Sequence, residues 1–327
     1  MHQRVRALLA CPACAGEFDD AWRCSTCGAA YGDEGGVPLL RLPGNQRTEA
    51  VRAFYADAPF PGYPPHDSIT WLRSRAERSP FPQLLDAAIP GDASIVEIGC
   101  GTGQMSLYLA RADRIVIGAD LTLPSLVLGA RAAARFNIPN VAFVETDLNR
   151  PALRAGAFDC VYCSGVLHHT PDPRKAFESI VRLARPGGTI IIGLYNCFAR
   201  LPLRLRRWVA RLTRERWIPF DPVLRDRRHE PARLAAWLRD QYRHPEEHRH
   251  SVGEIRQWFA EQGVDYLRSY PSTFIAEGPE KLLDRETDYW PMESWLSQLG
   301  WAASLGGEGG LFVAVGRKRS LPAHATG

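Results

Sequence analysis

The chain has 327 residues, enough for one large domain or two smaller ones, and its 45% hydrophobic and 23% charged content is ordinary for a globular protein. A net charge of +4 singles out no class of partner, and no apolar run approaches the ~18 residues needed to span a membrane.

Residues 1–45 open the chain. Leu8-Leu9-Ala10-Cys11 has the form of a lipoprotein cleavage site, but the apolar stretch before it is shorter than the roughly 7–15 residues of a signal peptide. The expectation is a cytoplasmic chain. Its eight cysteines then read as metal ligands and buried thiols, not disulfides. Cys11-Pro-Ala-Cys14 and Cys24-Ser-Thr-Cys27 are two C-x-x-C pairs nine residues apart. Each fits a tight knuckle, and four thiolates complete a tetrahedral shell around Zn2+ with no open position, which makes the metal structural. Gly28 stands where a turn often needs glycine.

Residues 46–93 predict a helix over 50–56, an irregular aromatic and proline-rich stretch over 59–65, and a second helix over 79–88. Residues 94–195 then alternate apolar runs with helical stretches. Strands are expected at 94–98, 115–120, 141–144, 158–163 and 189–194. Runs that are continuous rather than alternating suit a parallel sheet covered on both faces. Ligands bind such sheets at the carboxyl ends of the strands.

The first strand breaks into Glu97-Ile-Gly99-Cys-Gly101-Thr-Gly103-Gln104. The glycines allow a tight turn and close approach to a ligand. The phosphate fingerprint G-x-G-x-x-G is not completed, because Gln104, Met105 and Ser106 follow Gly103. A carboxylate at Glu97 would repel a pyrophosphate and suits a cationic amino group. This stretch resembles motif I of the class I S-adenosylmethionine-dependent methyltransferases. The ordered series through residue 195 is similar to the ubiquinone/menaquinone-type members of that family. The resemblance implies a Rossmann-like seven-stranded sheet binding S-adenosylmethionine through Glu97, Gly99, Gly101, Gly103, Gln104, Asp120, Leu121, Asp147, Leu148 and Ser164. Asp120 would take the ribose hydroxyls. Asp147 would face the adenine amino group, with Leu148 donating a backbone N–H. The stretch before the first strand would fold over the cofactor, with Phe54, Tyr55 and Tyr63 as lid residues. Residues 8–39 are similar to the zinc-ribbon activator protein that partners several methyltransferases.

Methyl transfer needs proximity and alignment, and a base only where the acceptor must lose a proton. His168 and His169 follow the fourth strand, and Tyr195 and Asn196 follow the fifth. His168, His169 and Tyr195 are candidate catalytic groups. Tyr55, Tyr63, Asn196, His244 and His250 are candidate substrate contacts. Ser164-Gly165-Val166-Leu167 stands where base and exocyclic-amine N-methyltransferases carry Asn/Asp-Pro-Pro-aromatic. That argues against methylation of DNA adenine or protein glutamine.

Residues 196–250 hold 14 Arg against 7 Asp and Glu, so the positive charge is concentrated there. Leu201, Leu205, Trp208 and Leu212 share one helical face, and Arg200, Arg204, Arg207 and Arg211 form a neighbouring stripe. Such a helix suits a lid, an anionic membrane surface, an acidic substrate or RNA. His244, Glu247 and His250 would share a helical flank and offer a second metal position. Residues 251–327 supply an amphipathic helix from Ser251, a sixth strand from Val264, a helix over 291–301 and a seventh strand from Leu311. That last strand is expected antiparallel at the sheet edge beside the fifth.

The reading is a small zinc ribbon on a class I methyltransferase fold roofed by a helical lid. Its acceptor is an oxygen or carbon atom of a small metabolite. RNA methylation is the alternative, since ribosomal guanine-N1 methyltransferases also carry an N-terminal cysteine module. A non-catalytic cofactor-binding scaffold is the third reading.

Overall fold

The chain starts with one helical turn, α1 (Gln3–Arg6), and a minimal hairpin of β1 (Asp33–Glu34) and β2 (Val37–Pro38). The computed structural model describes all residues except 1–2, 57–58, 60, 112, 215, 222–223, 225–230, 244–245, 274–280, 287–290, 306–308 and 321–327, and except the side chains of 231–233, 236, 240, 243 and 291. Helices α2 (Gln46–Ala56), α3 (Ile69–Ala76) and α4 (Pro80–Ala88) precede the sheet. Ser68 caps α3 by accepting from the Trp71 N–H, a start signal the sequence reading passed over.

Then come β3 (Ser94–Ile98), α5 (Gln104–Leu109), β4 (Ile115–Asp120), α6 (Leu123–Arg135), β5 (Val141–Glu145) and β6 (Phe158–Ser164). A single 3-10 turn at Leu167–His169 leads to α7 (Pro173–Val181). Asp172 caps α7 from the Lys175 N–H at 3.0 Å, with Pro173 behind it. After β7 (Ala184–Tyr195) come α8 (Leu201–Leu212), α9 (Pro231–Arg243), α10 (Val252–Glu261), β8 (Val264–Tyr270), α11 (Pro291–Ser304) and β9 (Leu311–Lys318). The strand expected at 189–194 begins earlier, and Arg185-Pro-Gly187-Gly188 lies inside the bounds of β7. It bulges there, because the register with β6 runs Phe158↔Ala184 and then Cys160↔Thr189.

The seven strands order as β5-β4-β3-β6-β7-β9-β8. β5 through β7 are parallel, and β9 runs antiparallel to both β7 and β8. One expectation is corrected here. The last strand does pair antiparallel with β7, but β8 lies outside it and forms the edge. β9 is therefore paired on both sides, in keeping with its run of buried residues from Phe312 to Gly316.

The order reverses between β3 and the β4–β6 pair that flanks it, so the carboxyl end of β3 opens onto a crevice. Phe143 on β5 shapes that crevice. A Cβ at Gly103, Gly118 or Gly129 would meet its ring at 2.2, 2.7 or 2.8 Å. The ring thus wedges between the glycine loop, β4 and α6 only because these three residues lack a side chain.

The cysteine-rich segment lies against the β5 side of the sheet. Leu9 bridges Leu153, the Ala10 N–H donates to the Ala152 carbonyl at 3.2 Å, and Leu39 bridges Glu145. Its Phe18, Trp22 and Leu9 join the same apolar cluster as Val96, Ile117 and Val144 of the sheet. The edge strand is thereby covered.

Candidate active site

The glycine loop follows β3. Gly99, Gly101 and Gly103 all take positive φ, at +70°, +54° and +79°. They are not equivalent. A Cβ on Gly99 would meet Val166 Cγ2 at 2.1 Å, whereas one on Gly101 meets nothing within 4 Å. Gly101 therefore presents its backbone to open space.

Two carboxylates hold this loop in shape. Asp120, at the end of β4, accepts the Gly101 N–H on Oδ2 at 2.8 Å. Its Oδ1 accepts the Thr122 N–H and hydroxyl at 2.8 and 2.7 Å. Oδ1 is thus committed to the start of α6, and Oδ2 keeps a lone pair for a further donor. Glu97 is buried and accepts the Ser106 hydroxyl. Burial pushes its pKa up from 4.5 to about 7, and the nearby Asp120 charge adds to the rise. A buried acid poised near neutrality calls for a cationic partner.

The predicted lid residue Tyr63 reaches this loop. Its hydroxyl donates to the Thr102 carbonyl at 2.7 Å, and the Thr102 hydroxyl donates to the Pro61 carbonyl at 2.8 Å. Tyr63 also packs edge-on against Phe136. Tyr55 sits further away on α2, half-buried and edge-on to Phe54, which carries Arg239 of α9 over its ring at 4.3 Å. At the end of β5, Asp147 Oδ1 accepts the Asn149 backbone and side-chain N–H groups, both at 2.9 Å. Gln104, Leu121, Leu148 and Ser164 are half-buried around the same strand ends.

The candidate catalytic groups form a second cluster, beyond β6 and β7. His168 lies 3.8 Å from the Tyr195 ring, centre to centre, and the Arg200 guanidinium lies 3.7 Å from the same ring. Two groups that close to one ring occupy its opposite faces. The Tyr195 hydroxyl accepts from Gln241 Nε2 at 2.9 Å. His169 Nδ1 donates to the Glu246 carbonyl at 2.8 Å, which leaves Nε2 as the acceptor nitrogen of the ring. Both histidines are buried.

Arg200 and Arg207, read in the sequence as part of a basic stripe, and Glu247, read as part of a metal flank, hold this cluster together with Gln241. Arg200 is 1% exposed and donates to the Gln241 side chain, to the Gly309 carbonyl at 2.7 Å and to Glu247. Arg207 donates to the same Glu247 oxygen at 2.5 Å and to the Gln241 carbonyl at 2.6 Å. Burial pushes the Glu247 pKa upward, but the two arginines outweigh it and hold the carboxyl below its ordinary range. The one signal in the sequence was the seven-residue spacing of Arg200 and Arg207, shared by the buried Leu203 and Ala210.

Two candidate substrate contacts are placed in the framework. Asn196 is fully buried, accepts the Phe198 and Ala199 N–H groups at 2.9 and 3.1 Å, and donates to Gln298 at 3.0 Å. His250 bonds Glu254 through Nδ1 at 2.9 Å, and its backbone pairs with Tyr195 and Cys197. His244 lies outside the described residues. The expected helical flank for a second metal is corrected: residues 246–249 lie in no helix, His250 bridges Asn196, and Glu247 is engaged by the two arginines.

Among the described residues, the one cluster able to hold a metal is Cys11, Cys14, Cys24 and Cys27, with sulfurs all within 4.8 Å of one another. Cys11–Cys27 and Cys14–Cys24 are 3.7 and 3.5 Å apart. A tetrahedron with Zn–S bonds of about 2.3 Å has sulfurs roughly 3.8 Å apart, so the four fit. The two knuckles match. The Ala15 N–H bonds the Cys11 carbonyl at 2.7 Å, and the Gly28 N–H bonds the Cys24 carbonyl at 3.0 Å. Ala15 and Gly28 both take positive φ, +61° and +73°.

Residues 96–192 match the family described as Methyltransferase domain. That match covers a little under a third of the chain and takes in the glycine loop and the strands from β3 to β7. An uncharacterised protein of Synechococcus is 27% identical over 67% of this chain and 59% of its own length. The ubiquinone biosynthesis O-methyltransferase of Xanthomonas axonopodis pv. citri is 32% identical over 46% of this chain and 62% of its own. The chain thus spans about three fifths of these relatives. Among solved structures, a complex of a methyltransferase activator from Haloferax volcanii is 16% identical over 77% of this chain and 94% of that one, with a TM-score of 0.46. Magnesium protoporphyrin IX methyltransferase of Synechocystis is 15% identical over 84% and 100%, with a TM-score of 0.48. The fold assignment rests on the strand order itself.

Proposed function

We propose that the chain is an S-adenosylmethionine-dependent methyltransferase acting on an oxygen or carbon atom of a small acceptor, with a structural zinc at its N-terminal cysteines. The observation that carries the reading is the open backbone at Gly101, gripped by Asp120 and bordered by the buried Glu97. These groups fit an adenosyl-amino acid. Glu97 matches an ammonium, Oδ2 of Asp120 accepts a ribose hydroxyl, and the Asp147 carboxylate accepts from an adenine amino group. When bound, S-adenosylmethionine supplies an electrophilic methyl group on a sulfonium.

The protein's own part is to hold and enclose. Tyr63 and Pro61 close over the glycine loop through Thr102. Loop 165–166 packs against Gly99 from the β6 side. His169, fixed by the Glu246 carbonyl through Nδ1, is the candidate proton acceptor for an acceptor hydroxyl. Relatives named as ubiquinone biosynthesis O-methyltransferases favour oxygen over carbon. The inward use of Arg200 and Arg207 weakens the RNA reading, because both guanidiniums are engaged by Glu247.

The test is incubation with methyl-labelled S-adenosylmethionine and a fractionated extract of the source cell. Label is expected in the small-molecule or lipid fraction. Label in a nuclease-sensitive fraction would replace this reading with RNA methylation. Cofactor binding without labelling of any fraction would favour the scaffold.

A further inference from the structure

The helix α8 turns its apolar face outward. Leu201, Leu205, Trp208 and Leu212 recur at helical spacing and are 41–66% exposed. Leu203 and Ala210 are the buried residues of the same helix. Just beyond its end, Trp217 and Phe220 are 60% and 92% exposed. A second stripe continues the surface. Met292, Trp295, Leu296 and Leu299 of α11 are each at least 40% exposed, and Trp295 meets Phe198, three residues before Leu201, edge-on at 5.8 Å. Single exposed apolar residues are normal, but a contiguous face of leucine and tryptophan is not.

The charge beside this face is one-sided. α8 contains four arginines and no acid. Arg207, Arg211 and Arg214, spaced four and three residues apart, line a cavity of about 310 Å³ with Ala210 and with Tyr242 of α9. That volume is at the lower end of the roughly 300–1,000 Å³ of ligand pockets. Among the described residues, the acids near it are engaged: Glu247 by Arg200 and Arg207, and Asp221 by the Tyr242 hydroxyl at 2.6 Å and the Trp237 indole at 3.2 Å. On the helical wheel the cavity arginines lie between the buried side and the exposed leucines.

We propose that α8 and the segment through Phe220 dock on an anionic lipid bilayer. Leu205, Trp208, Leu212 and Phe220 enter the interfacial layer. Arg211 and Arg214 meet lipid phosphates, and one headgroup enters the cavity beside them. An amphipathic helix with leucine and tryptophan on one face and arginine along its flank is built for this interface. A second copy of the chain fits less well, since a two-fold contact sets the same patch against itself and brings arginine to arginine. RNA fits less well too, because the outward leucines have no use against phosphates or bases. The docking is independent of the transfer reaction and stands or falls apart from it.

The full chain is sedimented with vesicles of phosphatidylcholine alone or with one third phosphatidylglycerol, while tryptophan emission is followed. Binding at least tenfold tighter to the anionic vesicles, with a blue shift, is expected. Leu205→Gln/Trp208→Gln should weaken binding tenfold or more and leave the melting temperature unchanged, because both side chains are exposed. Arg211→Gln/Arg214→Gln should weaken it by roughly fivefold per arginine at low salt. Three results overturn the proposal. One is equal partition to both vesicles. Another is RNA binding that the arginine pair abolishes while vesicle binding persists. The third is a concentration-dependent dimer that Leu205→Gln/Trp208→Gln dissolves.

Discussion

Replacing Glu97 by glutamine tests the cofactor site through a proton. In the unliganded protein, burial holds the carboxyl pKa at about 7 against 4.5. A raised carboxyl pKa means that the folded chain binds more protons than the unfolded one across that window. The associated stability is therefore fully present below about pH 4.5 and is lost as the pH rises to 7. Between pH 5 and pH 8 the loss amounts to roughly 2.5 kcal/mol, taking 1.36 kcal/mol per pKa unit. Glu97→Gln should flatten the pH dependence of unfolding by about that amount.

Binding makes the complementary demand. An ammonium beside Glu97 favours the ionised carboxylate. At pH 6.5 the unliganded carboxyl is about three-quarters protonated, so binding should expel about 0.7 proton. Calorimetric titration with S-adenosylmethionine at pH 6.5, in two buffers of different ionisation enthalpy, reads that number directly. Glu97→Gln should release none and should bind 10- to 100-fold more weakly at pH 8, the worth of a charge-assisted hydrogen bond at about 1.5–3 kcal/mol. Equal proton release from both proteins would refute the assignment, because the proton would then come from another group.

Gly101→Ala should cost the fold only about 1–2 kcal/mol for its positive φ, since the added methyl points into open space, yet should weaken cofactor affinity at least tenfold; melting and binding curves separate the two effects. Metal analysis should find one zinc per chain, and exhaustive chelation should raise hydrogen exchange across residues 141–154, because the cysteine segment bonds Ala152 and Arg154 of that stretch. No change in exchange on metal removal would mean that the packing on β5 does not need the metal. Glu247→Gln leaves Arg200 and Arg207 without their shared carboxylate and should destabilise by about 3–5 kcal/mol in urea at pH 7. The wild-type Glu247 pKa is lowered, so its contribution is present above the ordinary carboxylate range and lost as pH falls through the folded pKa; the variant should lack that acid-side loss.

Local signals in the sequence translated well into structure. The strands of the parallel sheet are uninterrupted apolar runs, and Ser251 caps a helix where the chain pattern places a start. The glycine loop is legible because positive φ at three alternate positions has few other solutions. What the pattern could not carry was pairing between distant segments. The strands β8 and β9 read equally well as an edge. Only the full-length register of β9 with β7, seven residue pairs from Thr189↔Arg317 to Tyr195↔Leu311, fixes which of them lies inside. The histidines near 250 were misread for the same reason. Their spacing suits a helix, but residues 246–249 lie in none, the His250 N–H bonds the Tyr195 carbonyl, and Glu247 meets the arginines.

The helix α8 shows where periodicity stops being informative. Spacing at i, i+4, i+7 and i+11 states that Leu201, Leu205, Trp208 and Leu212 share a face and that Arg200 and Arg207 share another. It does not state which face is turned inward. The default is that leucines go in and arginines go out, because an unmatched buried charge costs several kcal/mol. The default fails here, since Glu247, Gln241 and the Gly309 carbonyl together supply the partners that Arg200 needs, and all three arrive from at least 40 residues away. Once the arginines are satisfied inside, the leucines are committed to the outside by geometry alone. An apolar face exposed as the consequence of a buried ion network is stable in the free chain and available to a surface that is both apolar and anionic. If Glu247→Gln releases Arg200 and Arg207, α8 can rotate its leucines inward, and vesicle binding should fall together with stability.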